Sequence, residues 1–269
     1  MKDIIENRKR IGLGAKTRLA AISVRENGLP YFVYLGISYL GTNLANFGFR
    51  KSDELRKSRG LPGMNSRAAN RFIWDNWDWS AAGDEWTPSP DWKQSVVKNF
   101  IDPYFDGRER VLEIGPGAGR WTEYLIGKCQ ELIGIDISET CVKTCRERFS
   151  AYPHAKFELG NGADLQSIET ATIDGIWSFD VFVHINDTEF NSYVSECARV
   201  MKPGAVGVIH HGTMGGSSGG WRSNVTAEDV LRFMQAHGLT VVSQLKSWTD
   251  AGQEFEAGLY GDAITVFMR

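Results

Sequence analysis

Three glycines at alternate positions, Gly115, Gly117 and Gly119, follow an acid, Glu113, in the run Val111-Leu112-Glu113-Ile114. The run reads as a buried strand, and the glycines as the turn into a helix beginning near Arg120-Trp121-Thr122. Glycines at a strand end let the backbone approach a ligand closely. Their G-x-G-x-G spacing departs from the G-x-G-x-x-G of dinucleotide sites, where amides and a helix N-terminus meet a pyrophosphate. A carboxylate beside the turn disfavours a phosphate and favours a cationic ligand bearing an amino acid. Further on, Ile133-Gly134-Ile135-Asp136-Ile137 is a second apolar strand ending in an acid, placed to accept from ribose hydroxyls. A second group of candidates follows later strands. Ile176–Phe179 leads to Asp180 and His184, and Val206–Ile209 leads to His210 and His211. A histidine there can act as a general base near neutral pH. Asp180 with His210 and His211 is also a candidate divalent-cation site. Alternation along a strand lets one of His210 and His211 face the site and leaves open which.

The elements that must hold these residues alternate. Strands are expected at 110–114, 131–136, 155–159, 173–179 and 204–210, with helices at 119–128, 138–150, 187–201 and 226–237. Two final strands follow at 240–248 and 263–268, after Gly238 as a helix stop. Such alternation implies a parallel sheet with helices on both faces. A helix opens at Asp91, the expected N-cap, and stops near Pro103. Residues 66–91 carry Trp74, Trp77, Trp79 and Trp86, with Trp92 just beyond. They suit either stacking on sugar faces, with Asp75, Asp78, Asp84 and Glu85 to bond hydroxyls, or anchoring a lid by burial. The run 215–220 is expected to be a mobile loop beside the site.

With these motifs in this order, residues 92–269 resemble the class I S-adenosylmethionine (SAM) methyltransferases, whose first motif is E/D-x-G-x-G-x-G. The resemblance implies an α/β, Rossmann-like seven-stranded sheet closed by an antiparallel strand pair, with a helical, Trp-rich N-terminal extension. It divides the chain into 1–65, 66–91 and 92–269. It implies SAM as cofactor, with Glu113 bonding its ammonium or holding the turn, and Gly115, Gly117 and Gly119 beneath it. Asp136 would hold the ribose, and Ile137 the adenine face. Asn161 stands where the family often has Asp, beside Gly162, in a segment that reads adenine. Trp121 would either cover the cofactor or pack its own helix, and Phe179 is a further candidate cofactor contact. Methyl transfer from a sulfonium is an in-line displacement in which the enzyme supplies alignment, and an alcohol acceptor also needs a base or metal. Residues 177–185 together with Ile209-His210-His211 resemble bacterial O-methyltransferases of sugars and polysaccharide precursors. The expected reaction is O-methylation of a sugar or other small hydroxylated metabolite by His210 or His211, near Asp180 and His184, with magnesium as an optional aid. The alternatives are an N- or natural-product methyltransferase without metal, and a SAM-binding module without turnover. A dehydrogenase is opposed by the glycine spacing.

Charge bears on partners. The 269 residues carry 30 Lys and Arg against 33 Asp and Glu, a net charge of -3, which speaks against nucleic acid as the acceptor. The balance is uneven. Residues 1–60 hold twelve basic and five acidic residues, +7, leaving eighteen and twenty-eight elsewhere, -10. Residues 27–49 are uncharged, but Pro30, Gly36, Gly41, Asn43 and Asn46 interrupt them. A buried helix or lid is expected there, ahead of membrane-surface contact, with a homo-oligomer contact a further use of the segment. The N-terminus lacks the pattern of a secretory signal. Cys129, Cys141, Cys145 and Cys197 match no zinc spacing and read as free thiols in a reducing cytoplasm.

Overall fold

Apolar runs bounded by capped helices build a layered sheet. The structure, a computed structural model, describes residues 17, 21–22, 24–61, 63–215, 222–258 and 260–269. It divides into two units, Met1–Arg59 and Gly60–Arg269.

In the second unit the strands among the described residues are β1 (Arg108–Ile114), β2 (Cys129–Asp136), β3 (Ala155–Leu159), β4 (Ile173–Phe182), β5 (Met201–His211), β6 (Thr240–Leu245), β7 (Ser247–Asp250), β8 (Gln253–Glu256) and β9 (Ala263–Met268). Seven form one sheet in the order β3-β2-β1-β4-β5-β9-β6. Strands β1 to β5 are parallel, and β9 runs antiparallel to β5 and β6. This is the Rossmann-like seven-stranded arrangement expected of the sequence. The stretch 240–248, expected as one strand, instead breaks into β6 and one arm of a β7–β8 hairpin. Ala251 and Gly252, at φ 49° and 83°, supply the left-handed pair that a two-residue hairpin turn needs.

Strand alternation sends side chains to two cores. Val111, Trp177 and Val208 join Phe100, Phe105 and Trp248 on one face. Leu112, Ile176 and Ile209 join Phe190, Tyr193 and Phe267 on the other. Burial on both faces is why these strands read as continuous apolar runs. Ser138 caps helix Glu139–Arg148, and Thr226 with Asp229 forms a reciprocal capping box on helix Ala227–Ala236. Each such cap is worth about 1 kcal/mol. The helix expected to be capped by Asp91 is capped by Ser89, whose hydroxyl accepts from the Trp92 amide at 3.1 Å. Pro90 then occupies the first turn, where its missing N–H costs nothing. The helix expected over 119–128 shrinks to Thr122–Leu125.

The order of the chain reverses between β1 and β4, which are neighbours in the sheet. Ligands of open α/β sheets sit at such a switch, outside the carboxyl ends of the strands. Helix Arg67–Asp75, capped by Ser66, belongs to this unit. It is tied to the start of helix Glu139–Arg148, where Ser138 Oγ donates to Asp75 Oδ1 at 2.7 Å and Thr140 Oγ1 to the Asp75 carbonyl at 3.1 Å. Trp221 and most of the glycine-rich run, from 216 to 220, lie outside the described residues.

The first unit contains the 31-residue helix Leu29–Arg59. The uncharged stretch, expected to be buried, is helical but exposed. Between residues 29 and 50 only Phe32 and Gly36 are half-buried. No helix among the described residues is long and apolar enough to cross a membrane.

Candidate active site

The glycine turn is dictated by space. Gly115 and Gly119 have φ of 70° and 91°, and a Cβ on them would lie 2.3 Å from Val181 and 2.4 Å from Phe149. No other residue fits either position without displacing its neighbour. Glu113 lies beneath this turn, 2% exposed, and accepts from Thr122 Oγ1 at 2.6 Å. It holds the start of the following helix and is not on the cavity wall. Burial pushes its carboxyl up to about 8, so it carries its proton at neutral pH.

Asp136 ends β2 at the mouth of the turn. One carboxylate oxygen accepts from the Gly117 amide at 3.0 Å, the other from the Ser138 amide at 2.9 Å. Burial raises this carboxyl to about 6 against the pull of the amides. Asp136, Gly115, Gly117, Ile137, Gly162, Trp121 and Phe179 all line one cavity of about 480 Å³. Gly119 and Asn161 do not. Asn161 turns its carbonyl oxygen to the amides of Ala163 and Asp164, at 2.8 and 3.1 Å, and so shapes its own loop.

Tryptophans form another wall. The rings of Trp74, Trp77, Trp79 and Trp86 pack with centroids 5.4 to 6.0 Å apart, and all four line the cavity. Trp79 lies close over Gly117, where a Cβ would be 3.1 Å from its ring. Three of the four nearby acids are used locally. Asp75 holds Ser138, Asp78 caps the Ser80 turn, and Asp84 pairs with Lys93 at 2.7 Å. Glu85 accepts from Trp77 Nε1 at 2.8 Å and remains on the cavity wall.

Opposite lies a chain of ionisable side chains. Asp180 sits at an irregularity of β4 with φ +60°, a left-handed conformation uncommon for Asp. Its carboxylate pairs with Arg120 Nη2 and lies 3.0 Å from His210 Nδ1. Burial alone would raise this carboxyl. The Arg120 guanidinium and His210 outweigh it and hold the group well below the usual carboxylate range. Arg120 also donates to the Gly83 carbonyl at 3.1 Å, tying the tryptophan segment to the site. On the far side of His210, Nε2 is 3.7 Å from Asp262 Oδ2, and Asp262 pairs with Arg222. The order is Arg120–Asp180–His210–Asp262–Arg222. Its four outer members line the cavity.

The histidines fall differently from expectation. His210 is 1% exposed, stacked on Phe179 at 4.2 Å, and stands behind the two aspartates. His211 points to the other face of β5, fully buried. Its Nδ1 meets the Gly212 carbonyl at 2.9 Å and its Nε2 the Thr265 hydroxyl at 2.7 Å. A carbonyl only accepts, so Nδ1 carries the proton and Nε2 takes the Thr265 hydrogen bond. Burial lowers this imidazole to about 4, keeping it neutral. Neither ring reaches the cavity. His184 does, its ring edge-on to Trp74 at 5.3 Å.

The donors do not suit the divalent cation considered for Asp180, His210 and His211. Both His211 nitrogens are engaged, and a guanidinium already neutralises Asp180. Among the described residues no three His, Cys, Asp or Glu side chains converge as metal ligands. The sequence reading gave Arg120 no role. Its only signal was its place immediately after the third glycine. Arg222 and Asp262 lie forty residues apart in the chain, and no local pattern announces their pairing.

Residues 111–204 match the family described as a methyltransferase domain. A probable S-adenosylmethionine-dependent methyltransferase of Mycolicibacterium smegmatis is 35% identical over 117 residues, 44% of this chain and 43% of that protein. A ubiquinone biosynthesis O-methyltransferase of Thiobacillus denitrificans is 26% identical over 159 residues, 58% of this chain and 67% of that one. The chain thus spans less than half the length of the first relative and about two thirds of the second. The N-methyltransferase NodS of Bradyrhizobium japonicum, solved with S-adenosyl-L-homocysteine, has a TM-score of 0.54 at 18% identity, over 72% of this chain and 92% of NodS. That likeness is one of fold. The strand order and the glycine turn agree with the family match at residues 111–204, over which the chain is similar to S-adenosylmethionine-dependent methyltransferases.

Proposed function

We propose that this protein transfers a methyl group from SAM to a hydroxyl of a sugar or another small hydroxylated metabolite. One observation carries the reading: the Gly115–Gly117 turn and Asp136 share a single cavity with Asp180, His184 and the tryptophan wall. The residues present suit SAM. Asp136 offers carboxylate oxygens for ribose hydroxyls. Ile137, which packs against Gly162, offers an apolar face for adenine. When bound, SAM supplies a methyl group already activated by its sulfonium.

The protein's own part is alignment and exclusion of water. Indole faces of Trp74, Trp77 and Trp86 present flat apolar surface to an acceptor, as a sugar ring requires. Asp180, kept ionised by its neighbours, accepts a hydrogen bond from a hydroxyl and orients it. His184 is the imidazole on the wall and takes the acceptor proton in this reading. His210 steadies Asp180 and Asp262 from behind. His211 is structural. The relative from Thiobacillus denitrificans, an O-methyltransferase by its name, supports an oxygen acceptor. The four cysteines are all free thiols, which suits a cytoplasmic protein.

The test has two parts: titration calorimetry with S-adenosylhomocysteine, then transfer of labelled methyl into fractionated polar metabolites with and without EDTA. The expected result is binding, label in a carbohydrate fraction, and no effect of EDTA. Label confined to amines moves the acceptor to nitrogen. No binding of S-adenosylhomocysteine overturns the reading.

A further inference from the structure

Helix Leu29–Arg59 presents an apolar surface for which the site has no use. Leu29, Val33, Ile37, Leu40, Leu44 and Phe47 recur at intervals of three and four and so share one face, while Tyr31, Leu35 and Phe49 are exposed on the other beside Ser38 and Thr42. All are exposed, Leu40 and Leu44 by 69% and 72%. At the helical repeat Tyr34 and Tyr39 fall on either side of this stripe. Both rings are exposed as well, at 71% and 62%. An aliphatic stripe edged by tyrosines is the profile of a helix lying in a lipid–water interface, where amphipathic rings sit at headgroup level.

Two features of the same helix make that placement inexpensive. Two of its polar side chains are turned back on their own backbone: Thr42 Oγ1 donates to the Ser38 carbonyl at 2.8 Å and Asn43 Nδ2 to the Tyr39 carbonyl at 2.7 Å. A polar group already hydrogen-bonded costs far less to move out of water. The charges are displaced to the two ends. Nothing charged lies in 27–49, whereas seven basic and three acidic residues precede it and five basic and two acidic residues follow in 50–59.

We propose that this helix binds an anionic lipid surface, lying along it with the Leu29–Phe47 stripe immersed and the basic residues of 50–59 towards headgroup phosphates. Charge selects this occupant over a second copy of the chain. Pairing two such helices would bring together two segments of +7 each, whereas an anionic bilayer attracts both flanks. The binding would keep the protein at a membrane face, with access to acceptors that dwell there.

The test is flotation of the full chain with phosphatidylcholine vesicles, and with vesicles of about one third phosphatidylglycerol. The expected result is binding to the anionic vesicles alone, weakened by salt and fully reversed by carbonate. Leu40→Asp with Leu44→Asp should reduce partitioning about a hundredfold, and Arg50→Glu with Lys51→Glu about tenfold. Unchanged S-adenosylhomocysteine binding shows that each variant is folded. Three outcomes overturn the proposal. One is equal binding to both vesicles. The second is carbonate-resistant insertion. The third is no binding to either vesicle, with a dimer in sedimentation that Leu40→Asp dissociates.

Discussion

The two halves of the cavity are built by different means. The half at the ends of β1 and β2 is local. Gly115, Gly117, Asp136 and Ser138 meet through backbone amides within a short stretch of chain. The half at β4 and β5 is assembled from distant parts. Arg120 meets Asp180 sixty residues away, and Arg222 meets Asp262 forty residues away, with His210 between the pairs. The first half depends on backbone shape and tolerates little change of side-chain volume. The second depends on charge balance, since each buried guanidinium is tolerable only because a carboxylate faces it.

Breaking that balance should give the largest effect. Asp180→Ala leaves Arg120 buried without its carboxylate, which costs about 3–5 kcal/mol in chemical denaturation. Methyl transfer should fall about a thousandfold, because both alignment and the hydroxyl contact are lost. If Asp180→Ala were as stable and active as the parent, the charge chain would be ornamental. Next comes the local half. Asp136→Ala should weaken S-adenosylhomocysteine about a hundredfold by calorimetry, for the loss of charge-assisted hydrogen bonds. Stability should change far less than with Asp180→Ala, and an equal loss of stability would erase the contrast between the halves.

The histidines sharpen the comparison. His184→Asn should lower kcat about a hundredfold with S-adenosylhomocysteine binding unchanged. His211→Asn should lower the melting temperature with kcat within about tenfold, since the ring is remote from the cavity. A loss of turnover in His211→Asn without loss of stability would return that residue to the chemistry.

The effect that grows with pH concerns Glu113. Its carboxyl is raised from 4.5 to about 8 by burial, so the folded protein keeps a proton that the unfolded chain releases. Stability from this group is therefore full below about 4.5 and declines as pH rises towards about 8. Glu113→Gln keeps the Thr122 contact and cannot ionise. Urea midpoints of the parent should fall relative to this variant across that window. Parallel curves would mean that Glu113 is ionised in the folded protein.

Much of the first half was legible in the chain. Gly115 and Gly119 announce a turn that only glycine accommodates, and Asp136 ends an apolar run whose length fixes it at a strand terminus. Ser138 and Thr226 mark their helices by local hydrogen bonding. Hidden were features that depend on partners far along the chain. Nothing around Arg120 indicates Asp180. The β7–β8 hairpin was hidden inside an apolar stretch that reads as a single strand. Asn161 resembled an adenine reader by position, yet its side chain is spent on its own loop.

The sequence by itself determined the order of strands and helices, the glycine turn and the acid that ends β2. Each follows from steric limits or hydrogen bonds among near neighbours. Only the tertiary structure decided the acceptor side. Alternation put His210 and His211 on opposite faces of β5, but β5 is covered on both faces. One ring met Phe179 and two aspartates, and the other met Gly212 and Thr265. His184 reached the wall because β4 ends there in an irregular, left-handed step at Asp180. Which side chain faces a cavity depends on what packs against its strand from elsewhere, and that is settled only when the distant segments are in place.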